Sequence, residues 1–221
     1  MDSRQGTNDI DAWRRVSLVM SSQQSMNPWL HSFYNRYRVD EQSWDEKRPL
    51  KICFLVGSAD ISGGSYVIFE HALYAQRAGH DVTIATLVPL TDNTARWHAA
   101  LDELKFTSFE NAQHELFDLV IATWWKTVFE VPKFKYRHAV YFVQSVESRF
   151  YTSDPDPNVT VLSEMTYTLN LPIITIASWL QAFLAFEHGR PSLLALNGID
   201  KAKYSTQGSV VSPREKDKLR V

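Results

Sequence analysis

Three short stretches concentrate the side chains that could do chemistry. Ser62-Gly63-Gly64-Ser65 sets two glycines between two hydroxyls. Glycine lets the backbone come close to a bound group. If a helix starts here, its first turn adds N–H donors that have no partner within the helix. That combination suits a diphosphate or an acceptor hydroxyl. The same residues also suit a tight strand-to-helix turn that holds nothing, and they match neither a dinucleotide fingerprint nor a P-loop. Thr123-Trp124-Trp125-Lys126 brings two indoles and an ammonium group. An aromatic face suits a sugar ring and a lysine suits an anion, although either indole could instead cap the sheet as core. Tyr141 to Tyr151, YFVQSVESRFY, offers the amide of Gln144 and the carboxylate of Glu147. Glu147 reads equally well as a solvated loop charge.

These stretches need elements to hold them. Ile52-Cys53-Phe54-Leu55-Val56 is apolar without alternation, as a strand buried on both faces of a parallel sheet must be. Beyond Gly63-Gly64, Ile68, Ala72 and Ala75, with Phe69 and Leu73, make one apolar helical stripe. Gly79 suits a helix end, and His80-Asp81 lead into the strand Val82 to Ala85. The pattern then repeats. It predicts a helix over 95–104, a short strand near 105–108, strands at 118–123 and 139–143, and a helix over 159–169. A strand at 172–177, a helix capped by Ser178 and a strand at 192–196 turned by Asn197-Gly198 complete it. Strands alternating with helical patterns mean right-handed crossovers and an α/β, Rossmann-like, doubly wound and mainly parallel sheet. In such sheets ligands sit at the carboxyl ends of the strands, where all three chemical stretches fall.

Bulk properties exclude several classes. The net charge of −2 over 221 residues and a pI near 6.4 argue against nucleic acid as a partner. The single cysteine, Cys53, lies inside the first strand and reads as a small buried hydrophobe. His71, His80, His98, His114 and His138 show no metal-binding spacing, so no metal and no bound cofactor is expected. His71 could face the cleft, or serve a surface or capping role. No apolar run approaches the 18 residues of a membrane span, and MDSRQGTNDIDAWRR lacks the apolar core of a secretory signal. Asn158-Val159-Thr160 is a glycosylation sequon that reads as chance without such a signal.

The glycine pair after the first strand, with a helix that ends in Ala-Gly-His-Asp-Val, resembles the N-terminal domain of GT-B glycosyltransferases of the retaining family 4. Two further segments extend the likeness. Tyr141 to Tyr151 is similar to the "YFxQD…E…FY" segment of a bacterial subset that includes rhamnosyltransferases of surface-glycan assembly, with Ser145 standing where that subset has aspartate. Ala177-Ser178-Trp179-Leu180 followed by Asn197-Gly198-Ile199-Asp200 resembles the end of the family's first domain. The resemblance implies one half of a GT-B fold, cytoplasmic or at the inner face of the membrane with peripheral contact there. It implies transfer of a sugar from a nucleotide-sugar, as substrate, to a glycan or lipid-linked acceptor with retention, as a hexosyltransferase in polysaccharide biosynthesis.

On this reading Gly63, Gly64 and Ser65 form the donor-phosphate or acceptor loop. Trp124, Trp125, Lys126, Gln144 and Glu147 line the acceptor cleft, and no catalytic residue is assigned. Residues 1–49 are expected to be an N-terminal extension, 50–203 the acceptor-side domain, and 204–221 a linker leading to a missing C-terminal donor-binding domain. The fragment alone is then expected to be inactive. Two alternatives stay open: a non-catalytic Rossmann-like module that binds a nucleotide or glycan, and a non-catalytic partner of a separate donor domain.

Overall fold

The computed structural model describes residues 48–91 and 96–198. Residues 1–47 of the expected N-terminal extension, and the linker over 204–221, lie outside the described residues.

The described chain runs β1 (Lys51–Val56), α1 (Gly63–Arg77), β2 (Asp81–Thr86), α2 (Ala100–Glu103), β3 (Lys105–Ser108), α3 (Phe109–Ala112) and β4 (Leu116–Ala122). It continues through α4 (Trp125–Glu130), a 3-10 turn (Val131–Lys133), β5 (Lys135–Val143), a second 3-10 turn (Glu147–Tyr151) and α5 (Pro157–Thr166). β6 (Ile173–Thr175), α6 (Ser178–His188) and β7 (Ser192–Leu194) end it. The seven strands form one sheet in the order β3-β2-β1-β4-β5-β6-β7. Every pairing is parallel, and β1 lies between β2 and β4. The α/β doubly wound fold expected from the sequence is therefore the fold observed.

The apolar run of β1 has its explanation in the core. Cys53 and Leu55 pack into one apolar cluster, with Phe117, Val120, Tyr141 and Tyr167. Ile52, Phe54 and Val56 pack into another, with Ile68, Phe69, Leu73 and Ile84. Alternate residues of a strand point to opposite faces, so a strand covered on both sides must be apolar throughout. Helix α1 covers the second face through its expected stripe, with Ile68, Phe69, Ala72 and Leu73 buried. It ends at Ala78, and Gly79 follows at φ 97°, a left-handed conformation that glycine adopts without strain.

Several boundaries differ from expectation. β5 starts four residues earlier than the sequence suggests. The helix expected over 159–169 covers Pro157–Thr166, with Asp156 as its cap. The helix expected over 95–104 is the single turn Ala100–Glu103. α3, α4 and both 3-10 turns went unrecognised, because three to six residues are too few to show a helical period. Ser178 is the first residue of α6 rather than its cap; the cap is Ala177, with no side-chain bond.

At the amino ends of the central strands, charges close the sheet. Asp118 on β4 receives both guanidinium nitrogens of Arg48 at 3.0 and 2.8 Å, the Lys51 N–H at 2.9 Å, and Arg137 at 3.3 Å. The Arg48 guanidinium, first among these, pulls the Asp118 carboxyl down to about 2. Glu115 bridges Lys51 and Lys105 beside it.

Candidate functional site

At the opposite, carboxyl end of the sheet lies a cavity of about 800 Å³. Its wall is drawn from the ends of β1, β2, β4, β5 and β6, through Val56, Leu87, Thr123, Gln144 and Ile176. Chain direction across the sheet reverses between β1 and β4, and that switch opens a crevice.

The glycine loop forms one wall. Ser62 caps α1, its Oγ accepting the Ser65 N–H at 2.9 Å and lying 2.8 Å from the Ser65 hydroxyl. Gly63 and Gly64 are the first two helical residues, so their N–H groups have no acceptor within the helix. Neither glycine is demanded by the fold. A Cβ on Gly63 would meet nothing within 4 Å, and one on Gly64 would make ordinary contacts of 3.7 and 3.8 Å with Gln144 and Ser62. Neither has a positive φ. The space that these glycines leave open belongs to the cavity.

The opposite wall is Trp124. Its indole lies against Gly57 so closely that a Cβ there would stand 2.9 Å from Cε3. Its Nε1 donates to the Tyr151 hydroxyl at 3.2 Å. The loop beneath is pinned by the buried Thr127, whose Oγ1 accepts the N–H of Thr123 and of Trp124, each at 3.1 Å, and donates to Trp124 O at 2.8 Å. Thr123 ties the loop to β1, its hydroxyl donating to Leu55 O at 2.7 Å. Lys126 holds its ammonium 4.9 Å from the centre of the Trp124 ring and 5.3 Å from that of Trp125.

Gln144 and Glu147 close the cavity from the β5 side. Gln144 Nε2 donates to Gly64 O at 3.4 Å, spanning the crevice. Glu147 is only 6% exposed, so the solvated-charge reading of this residue does not hold. Its Oε2 accepts the Trp125 N–H at 2.7 Å and the Tyr141 hydroxyl at 3.2 Å. Its own N–H donates to the Tyr167 hydroxyl at 2.9 Å, and that hydroxyl donates to Ser145 O at 3.2 Å. Burial pushes the Glu147 carboxyl up to about 7, against the lowering effect of its two donors. Burial likewise raises both tyrosines well above their ordinary range.

Of the residues singled out in the sequence, Gly63, Gly64, Ser65, Trp124, Lys126, Gln144 and Glu147 all line this one cavity. Trp125 does not, and that is a correction. It is 4% exposed and packs edge-on against Tyr151 at 5.8 Å and Phe129 at 6.1 Å. Trp124 is the extended residue before α4 and Trp125 the first inside it, so the two neighbouring side chains point different ways. His71 is absent from the cavity and packs edge-on against Phe142 at 5.1 Å. Cys53 is fully buried, and burial pushes its thiol up to about 12, leaving an inert side chain. Among the described residues, no three His, Cys, Asp or Glu side chains come together to hold a metal, and no helix is long and apolar enough to cross a membrane.

Four contributors had no sequence signal of their own. Gly57 reads only as the end of a strand, yet it seats the Trp124 ring. Thr127 falls just outside the Thr123–Lys126 stretch, yet it fastens the loop. Tyr141 and Tyr167 hold Glu147 in place from positions six residues before it and twenty after it, and no local pattern links them.

No protein-family model matches the chain, and no curated protein matches it. Among solved structures, the chain is similar to HepE of Anabaena, a crystal structure in complex with UDP-glucose. The identity is 16% and the TM-score 0.50, over 70% of this chain and 46% of HepE. The chain thus spans less than half the length of that protein. At this identity the likeness is one of fold, and it agrees with the doubly wound parallel sheet described above.

Proposed function

We propose that this domain is the acceptor-side half of a glycosyltransferase that uses a nucleotide-sugar. The observation that carries the reading is the open start of α1. Two glycines that the packing does not require leave backbone N–H groups and the positive end of a fifteen-residue helix facing a cavity at the sheet's switch point. That is the environment a sugar diphosphate needs. Fold likeness to a protein solved with UDP-glucose supports the choice of ligand. The motifs shared with family 4 support transfer with retention to a glycan or lipid-linked acceptor, in the manner of the bacterial surface-glycan enzymes that include rhamnosyltransferases. On this reading a second domain carries the carboxylates and basic residues that grip the donor. The 221 residues alone then bind a nucleotide-sugar weakly and do not turn it over. Peripheral contact with the inner membrane face would bring a lipid-linked acceptor to the cleft.

Titration of the chain with UDP-glucose and other nucleoside-diphosphate sugars, followed by NMR, tests the reading. Saturable shifts are expected at Gly63, Gly64 and Ser65. Gly64→Val should abolish them, because its methyl groups reach towards Gln144 and fill the space above the helix start. Its stability in chemical denaturation should stay within about 1 kcal/mol of the parent, since a Cβ at this position makes only ordinary contacts. Wild-type binding by Gly64→Val, or no binding of any nucleotide-sugar, would sink the proposal.

A further inference from the structure

We propose that Oε1 of Glu147 is the acceptor for a sugar hydroxyl at the base of the cavity, an inference that rests on the sugar-transfer reading above. The two oxygens of this carboxyl are not equivalent. Oε2 is occupied twice, by the Trp125 N–H and the Tyr141 hydroxyl. Oε1 takes no hydrogen bond among the described residues, although Glu147 is more than nine-tenths buried and lines the cavity. Oε1 has no protein donor and keeps its access to water at the cavity, so a ligand hydroxyl can take the place of water there. Trp124 lines the same cavity. An aromatic face for the C–H side of a pyranose, together with a carboxylate for its hydroxyls, is the chemistry that selects a neutral sugar.

The interaction requires the ionised form, so it depends on pH. The elements packed around Glu147 present few other groups that could account for such a dependence. Tyr141 from β5 and Tyr167 beyond α5 are held protonated by burial. From α4 come the backbone N–H of Trp125 and the side chain of Lys126, which lines the same cavity. Arg149 lies in the same 3-10 turn, its guanidinium over the Phe183 ring. Glu164 of α5 bonds Ser148 and stands 3.2 Å from His188 of α6. Asp60 also lines the cavity. His188 is the imidazole that the test must separate from Glu147.

Glu147→Gln makes that separation. Both structural bonds fall on one oxygen, so the amide oxygen of glutamine keeps both, while its NH2 replaces the free acceptor with a donor. The probes are methyl glycosides of neutral hexoses, titrated into the chain and followed by NMR at pH 6 and pH 8, with UDP-glucose as a parallel ligand. With the carboxyl at about 7, the ionised fraction rises roughly from a tenth to nine-tenths over this range. Wild-type affinity should tighten about tenfold. Glu147→Gln should bind at or below the wild-type pH 6 level at both pH values, with an unchanged melting temperature at pH 6. A pH dependence that survives in Glu147→Gln would show that a group other than Glu147 drives it and overturn the proposal. So would wild-type affinity in that variant. If UDP-glucose binds and no methyl glycoside does, this proposal fails and the sugar-transfer reading stands; if neither binds, both fail. A second readout needs no variant. In 13C-labelled wild-type protein, saturating sugar should lower the titration midpoint of the Glu147 carboxyl, because the ligand binds the ionised form. An unmoved midpoint would overturn the proposal.

Discussion

Gly57 and Glu147 show how single residues set this cleft. Gly57 has no side chain because the Trp124 indole occupies the place where one would be, 2.9 Å from where a Cβ would stand. Gly57→Ala must therefore displace the ring. The expected cost is about 1–2 kcal/mol, in the range of overpacked sites. The cavity wall should tilt with the ring. Fluorescence difference spectra against a Trp124→Phe background check this, and an indole emission unchanged by Gly57→Ala would contradict the contact. At Glu147 the residue type was legible and its environment was not. A glutamate is mostly exposed in folded proteins and is fully buried only when paired. What buries this one is Tyr141, Tyr167 and the backbone of Trp125, which only the folded chain brings together.

At the scale of elements, the short α4 is fastened by one hydroxyl. Thr127 Oγ1 accepts two backbone N–H groups and donates to one carbonyl, all at the loop that carries Trp124. Thr127→Val keeps the shape and removes every one of those bonds. With Thr127 fully buried, two donors lose their acceptor, and the expected destabilisation is about 2–3 kcal/mol. Urea unfolding should show it as a lower midpoint with an unchanged slope. The long elements were legible in the sequence because their periods are: two-sided apolar runs for β1 and β2, a helical stripe for α1. Turn-length helices such as α2, α3 and α4 carry no period, and their boundaries come from tertiary contacts. The same limit explains Trp125, since the start of α4 decides which of two adjacent indoles faces the cavity.

For the whole molecule, two carboxyls tilt stability in opposite directions with pH. Glu147 titrates near 7 when folded and at about 4.5 when unfolded, so the folded chain holds a proton that the unfolded chain has released. Stability then falls as pH rises through that window, by at most about 3 kcal/mol. Asp118 titrates at about 2 when folded and near 3.8 when unfolded. Its contribution of about 1–2 kcal/mol is present above 3.8 and is lost as pH falls towards 2. Melting curves from pH 2 to pH 8 should show both limbs. Asp118→Asn should flatten the acid limb, and Glu147→Gln the neutral one; a limb that persists in its own variant would show that another group drives it. The carboxylates differ in kind because they sit at opposite ends of the sheet. The charges that close the amino ends and the cavity at the carboxyl ends are separated by the full length of β1, roughly 15–20 Å. Substitutions at such a distance act independently. Heritable change at the amino ends can therefore tune how acidic a setting the chain survives without altering what the carboxyl ends recognise.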